Sequence, residues 1–471
     1  MKKYKIFALT LAAALCVSAA GCAASEKTAT TESAVGTTAA FPAADAATGS
    51  ADVPTSEPAD KSKAEPAEET TAENGVYIAA PAVSGGILDT ADVFTNRDLR
   101  QDADLADAKT IDVRNDATET VTEEGVYVLK GTATNFTLKV DAGSEAKVQI
   151  VLDGVSITNE SSPAIFVLSA DKCFITTTDS ENTLKTTGAF TKTDDVNTDA
   201  VIFSKDDLVF AGTGTLTVSS SDNGISGKDK IKFTGGSYSV TAGSDGIEAN
   251  DGIAIADGRF IVSADADALH AENDEDETLG WIWIAGGTLT LNASSDAVHA
   301  TTVVEIDGGA LKATGGEGIE GTYIQINGGD IGIVASDDGI NAGAKSGAYK
   351  VMIEITGGSV TVSVGQGDTD AIDSNGDIRI TGGTIDVTAS MSSFDCDGTA
   401  EYTGGTIIIN GEQVDSIPQS MMGGGMGGMG GGMGGGNQPG GNGMGGRGFN
   451  GGSQPGDSGN SGFNAAGGTE V

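Results

Sequence analysis

Thr234-Gly235-Gly236-Ser237-Tyr238-Ser239-Val240-Thr241-Ala242-Gly243-Ser244-Asp245-Gly246-Ile247 is one turn of a phrase that keeps returning between Asp199 and Ile409. Its Gly-Gly or Asp-Gly pair recurs at Gly235-Gly236, Asp257-Gly258, Gly286-Gly287, Gly308-Gly309, Gly328-Gly329, Gly357-Gly358, Gly382-Gly383 and Gly404-Gly405. A second phrase has an acidic or small polar residue, then Gly or Ala, then an aliphatic. It begins at Asp199, Asn223, Asp245, Asp267, Asp296, Glu317, Asp338 and Asp370, at spacings of 24, 22, 22, 29, 21, 21 and 32. The basic period is 21 to 24, with two rungs lengthened by insertions. A fixed period of this size marks a solenoid, whose units bury their apolar faces only by stacking on one another.

Apolar residues alternate with period two on both sides of each pair. Before it come Ile253/Ile255, Ile282/Ile284, Val304/Ile306 and Ile324/Ile326; after it come Tyr238/Val240, Phe260/Val262 and Leu289/Leu291. Such short, β-branched alternating runs are strands. The glycines are corners, since Gly accepts the positive φ of a sharp bend. Three short strands per coil give an all-β fold: a single-stranded, right-handed parallel β-helix. A propeller would need about 40 residues per blade, and two-residue hairpins would make the strands antiparallel. If Ile282 and Ile284 point inward, Trp281 and Trp283 point outward, with Tyr323 two rungs on. Exposed aromatics of this kind suit the C–H faces of sugar rings, so these three are the expected ligand-binding residues. The competing reading has the loop before Trp281 folded over them.

Outward from the repeat, the organisation reads as follows. Residues 1–21 are a signal peptide, with Lys2, Lys3 and Lys5 ahead of an apolar run from Ile6 to Val17. Ser18-Ala19-Ala20-Gly21-Cys22 resembles a bacterial lipobox, which makes Cys22 the expected lipidation site and the membrane its anchor. Residues 22–80 carry the lipidated Cys and a linker of Ala, Thr, Ser, Glu and Pro that cannot bury a core. Residues 81–145 are expected to form an N-terminal cap and the first coils, and 146–415 the β-helix. Residues 416–471 are a Gly/Met-rich, low-complexity tail. The expected location is extracellular, tethered to the cell membrane.

The net charge is −41, from 26 basic and 67 acidic residues. Nucleic-acid binding needs a basic footprint and is excluded. Cys173 and Cys396 lie some nine rungs apart, which at about 4.8 Å per rung is far beyond disulfide reach.

Equivalent positions stack in a parallel β-helix. The acidic position therefore forms a row: Asp245, Asp267, Asp296, Glu317, Asp338 and Asp370. Three residues on runs a second: Glu248, His270, His299, Glu320, Asn341 and Asp373, with Asp395 beyond. Carboxylates about 4.8 Å apart repel by roughly 3 kcal/mol at an effective dielectric near 20. Hard cations with oxygen ligands offset this, so Ca²⁺ is the expected cofactor. Its expected ligands are Asp245, Glu248, Asp267, Asp296, Glu317, Glu320, Asp338, Asp370 and Asp373. The alternative is that the carboxylates accept corner N–H bonds. No nucleophile–base pair stands out, so no catalytic residue is assigned. A calcium-dependent lyase would need a base beside the metal, for which Lys228, Lys312, Lys345 and Lys350 are available.

The chain resembles bacterial carbohydrate-binding-domain lipoproteins with a pectate-lyase-like parallel β-helix. The resemblance rests on Phe94-Thr95-Asn96-Arg97-Asp98-Leu99, Thr122-Glu123-Glu124-Gly125-Val126-Tyr127-Val128-Leu129, Lys147 to Val155, the Ser-Asp-Gly/Ala-Ile repeats and the Gly/Met tail. It implies binding of plant cell-wall polysaccharide (cellulosic or acidic pectic chains), bound calcium and no established catalysis. The alternatives are a pectate-lyase-like enzyme and a structural or adhesive stalk.

Overall fold

The computed structural model describes residues 75–82, 85–367 and 369–418. The signal peptide, Cys22, the linker to residue 74 and the tail from residue 419 lie outside the described residues. Among the described residues every regular element is a strand, 36 from Lys109–Asp112 to Glu412–Val414.

Each coil visits three walls in turn. Wall A contains Lys230–Phe233, Gly252–Ile255, Trp281–Ile284, Val303–Ile306 and Tyr323–Ile326. Wall B contains Ser237–Ala242, Arg259–Ala264, Thr288–Ala293 and Ala310–Gly315. Wall C contains Ile247–Ala249, Leu269–Ala271, Val298–Ala300, Ile319–Gly321, Ile340–Ala342 and Ile372–Ser374. Each strand pairs in parallel with its equivalent one coil on, in register: Ile253 opposite Ile282, Phe260 opposite Leu289, Leu269 opposite Val298. Walls A and B belong to one 24-stranded sheet because Gly125–Thr134 and Lys147–Asn159 run through the corner unbroken, with a bulge between Leu129 and Gly131. Wall C is a separate sheet of 12 strands. The architecture is a parallel β-solenoid, and Glu412–Val414 ends the second wall by pairing antiparallel to Thr406–Ile409.

Strand length follows from corner chemistry. The second glycine of the pair after wall A holds φ at +81° in Gly358, and a Cβ there would meet the Gly328 carbonyl carbon at 2.9 Å. L side chains rarely adopt that bend, which is why a glycine recurs at this corner from Gly236 to Gly405. The alternating apolar residues fill the interior in stacked rows. Phe210 stacks on Phe233 in the wall A row and Tyr238 on Phe260 in the wall B row, with centroids 4.7 and 5.1 Å apart, and Phe233 meets Phe260 edge-on at 5.1 Å. Cys173 is buried, Cys396 is half-buried and both are free thiols.

Residues 85–104 depart from the expected cap. They run along the outside of wall A as a strap, making polar contacts from Gln325 back to Gln149. The Ile87 N–H donates to Gln325 Oε1 at 2.7 Å and the Leu88 N–H to Glu305 Oε2 at 2.8 Å. Further along, the fully buried Asp98 takes Lys172 Nζ at 3.0 Å, with Lys232 Nζ at 3.6 Å. Gln101 donates to Thr234 Oγ1 and accepts the Gly212 N–H.

Candidate functional site

The strap corrects the expected aromatic platform. Trp281 and Trp283 do project from the outer side of wall A, but they are only 8% and 1% exposed. Leu88, Val93 and Phe94 of the strap pack over them, with Leu279, Tyr323 and Tyr349, into a second apolar core. Phe94 meets Trp283 at a centroid distance of 5.6 Å, and Trp283 Nε1–H donates to Asp307 Oδ2 at 2.8 Å. Tyr323 is half-buried and donates to Glu354 Oε2. The cover is thus the strap and not the acidic loop Glu272–Glu277. That loop's Glu277 carbonyl instead accepts from Ser346 Oγ. Between strap and wall lies a cavity of about 460 Å³, bordered by an edge of Trp281 and by Lys230 and Lys232.

The two expected rows are present on wall C and at the corner before it. From Ile247–Ala249 to Ile372–Ser374 the wall C strands are three residues long, and the middle residue of Ile247–Ala249, Leu269–Ala271 and Val298–Ala300 faces out. The in-register pairs Glu248–His270, His270–His299, His299–Glu320, Glu320–Asn341 and Asn341–Asp373 form one continuous row. The corner row beside it is stitched together by its own carboxylates. Asp245 Oδ1 accepts the Asp267 N–H at 2.9 Å, Asp267 Oδ1 the Asp296 N–H at 2.8 Å and Asp338 Oδ1 the Asp370 N–H at 2.7 Å. One oxygen of each of these groups is therefore spent on the backbone, and the second oxygens of Asp245 and Asp267 face the histidines of the outer row. Asp199, counted with the corner phrase, is out of step by one residue, because Ala200 pairs with Asn223.

The rows differ along their length. Near the start, Glu248 Oε2 accepts from Asn223 Nδ2 and Ser226 Oγ, so it is already satisfied. In the middle, His270 Nδ1 lies 3.0 Å from Asp245 Oδ2 and 3.6 Å from Asp267 Oδ2. The next ring, His299, stacks on it with centroids 4.9 Å apart. His299 Nδ1 has Asp267 Oδ2 and Asp296 Oδ2 at 3.2 Å and Glu320 Oε2 at 3.5 Å. Burial opposes charging of His299, but the carboxylates bonded to it push its pKa up to about 10. His270 is raised in the same way, burial being outweighed by Asp245. Burial would lift Asp267, yet the His299 bond and the Asp296 N–H hold its carboxyl below the usual range.

Further along, oxygens replace nitrogens. Asn341 Nδ2 donates to Glu317 Oε1 at 3.2 Å, while Glu317 Oε2 and Asn341 Oδ1 are buried without a hydrogen bond. Burial, then the neighbouring Glu320, Asp296 and Asp338, push Glu317 up to about 8. Asp373 rises to about 7 through burial and then Asp338, Asp370, Asp395 and Asp397. Carboxyls crowded enough to resist ionisation, beside acceptor oxygens with no donor, form a set that a hard cation would complete. Of the four available lysines, Lys345 reaches the row, 2.7 Å from Glu320 Oε1, and Lys228 lies 3.8 Å from Glu248 Oε1.

A family model described as carbohydrate-binding domain-containing protein matches residues 115–371, from the first coils to the last corner of the acidic row. A carbohydrate-binding domain-containing protein of Acetivibrio thermocellus (strain ATCC 27405) is 40% identical over 238 residues, which are 50% of this chain and 82% of that protein. A solved structure described as a polysaccharide lyase-like protein from C. thermocellum, gadolinium derivative, overlaps 63% of this chain and 98% of its own at 24% identity and a TM-score of 0.37.

Proposed function

The chain belongs to the family of carbohydrate-binding domain-containing proteins, and from that premise we propose that it is a cell-surface protein holding plant cell-wall polysaccharide along wall C with the help of calcium. The observation that carries the reading is the orphaned pair Glu317 Oε2 and Asn341 Oδ1 amid Asp338, Asp370 and Asp373. Ca²⁺ takes six to eight oxygens from carboxylates, amide carbonyls and water. Glu317, Asp338, Asn341, Asp370 and Asp373 offer such donors without an imidazole among them, and these residues would hold the ion. The bound ion would supply positive charge, which an acidic chain of −41 needs before it can meet an acidic glycan.

Among the remaining expected ligands, Glu248 is engaged by Asn223 and Ser226, and Asp245, Asp267, Asp296 and Glu320 face the histidines. Lipid on Cys22 would tether the protein to the membrane, leaving the solenoid outside. A second reading, a calcium-dependent lyase, is favoured only by Lys345 beside Glu320. Retention on pectic and cellulosic matrices with calcium and with chelator tests the binding reading. Calcium-dependent formation of an ultraviolet-absorbing unsaturated product would replace it with the lyase.

A further inference from the structure

We propose that His299 and the carboxylates converging on it form a site for one zinc-class divalent cation, chemically separate from the oxygen-only stretch of the same rows. The geometry is a surplus of acceptors around a single atom. His299 Nδ1 carries at most one hydrogen. Three carboxylate oxygens from three coils nevertheless close on it: Asp267 Oδ2 at 3.2 Å, Asp296 Oδ2 at 3.2 Å and Glu320 Oε2 at 3.5 Å. One N–H cannot be directed at all three, because hydrogen bonds weaken steeply away from linearity.

A metal ion can be shared in this way. Ligands around a tetrahedral zinc, with bonds of about 2.0 to 2.2 Å, stand about 3.3 to 3.5 Å from one another. In the Asp296–His299–Glu320 set the separations from His299 Nδ1, 3.2 and 3.5 Å, match that edge length and leave a fourth position for water. Two donor triads meet at this imidazole, Asp267–His270–His299 and Asp296–His299–Glu320, each with its donor atoms within 4.8 Å of one another. His270 stacks on His299 and presents its own Nδ1 3.6 Å from the same Asp267 oxygen, so a second nitrogen stands at the site.

The donor set also selects the ion. Imidazole nitrogen suits zinc and neighbouring transition metals, whereas calcium takes oxygen. Bound by Asp296, His299 and Glu320, the cation would tie together two successive coils of wall C and offset the charge of those carboxylates.

The test uses the untagged full chain, stripped of metal and returned to millimolar calcium, then titrated calorimetrically with zinc. One zinc per chain is expected, held against the calcium excess. Cobalt(II) in its place is expected to give the intense visible absorption of a four-coordinate ion. His299→Gln should weaken zinc at least 100-fold while leaving the calcium-dependent rise in Tm intact. If far-UV circular dichroism shows that this variant does not fold, Glu320→Gln takes its place, with at least a tenfold loss expected. Absence of 1:1 zinc uptake, displacement of zinc by millimolar calcium, or wild-type zinc affinity in a folded variant would each overturn the proposal. A failure of calcium to stabilise the protein would bear on the polysaccharide reading and leave this one standing.

Discussion

Asn341 donates its side-chain N–H to Glu317 Oε1 across one coil at 3.2 Å, while the outer oxygens of both groups are buried without a hydrogen bond. A cation that binds only the folded chain stabilises it by mass action. Millimolar Ca²⁺ is therefore expected to raise Tm relative to chelator, and Glu317→Gln to shrink that rise. Calorimetric scans of both proteins check this, and coincident melting curves in calcium and chelator would remove calcium from the site.

The same crowding gives a pH dependence. Glu317 and Asp373 titrate near 8 and 7 in the fold, above their ordinary carboxyl values of 4.5 and 3.8. A carboxyl raised by folding stabilises fully below its unfolded pKa and loses that contribution as pH rises through the folded one. In chelator, Tm should fall between about pH 4.5 and 8, and calcium should recover most of the loss at the alkaline end. His299 is also raised, to about 10, so its contribution is complete below 6.5 and disappears only as pH climbs through 10. A chelated Tm that climbed steadily from pH 5 to 8 would contradict the carboxyl assignment.

Trp283 holds the strap. Its indole is 1% exposed and lies under Phe94. Trp283→Ala should cost about 3 to 5 kcal/mol, the range for deleting a buried aromatic. Limited proteolysis should then cut within residues 85–104 before the coils. A loss under about 0.5 kcal/mol is what an exposed indole would give, and it would contradict the burial.

Asp98 is the strap's second anchor. It is fully buried against Lys172 and Lys232. Asp98→Ala leaves two half-compensated ammonium groups under the strap, a change that typically costs about 3 to 5 kcal/mol. Denaturant unfolding of the variant measures it.

What could be read in the sequence was whatever the period enforces. Gly358 and its equivalents announce corners because L side chains rarely adopt their backbone conformation. Asp245, Asp267 and Asp296 announce a row because in-phase coils put like on like. The strap has no period. Leu88 meets Glu305, 217 positions away, and no local pattern encodes such a contact. Trp281 and Trp283 therefore read as exposed: alternation shows which way a side chain leaves the coil but not what lies over it. The apolar Val93-Phe94 pair was the one available sign of a cover. The convergence on His299 was hidden for a related reason. Stacking predicts neighbours, whereas the shared position of three carboxylate oxygens depends on side-chain geometry.

The most direct test of the account is retention of the protein on pectic and cellulosic matrices, in millimolar calcium and again in chelator, with Glu317→Gln alongside. Wild type is expected to be retained in calcium and released by chelator, and the variant to be retained weakly in both. Failure to bind either matrix in calcium would contradict the polysaccharide reading, and binding equally strong in chelator would contradict calcium's part in it.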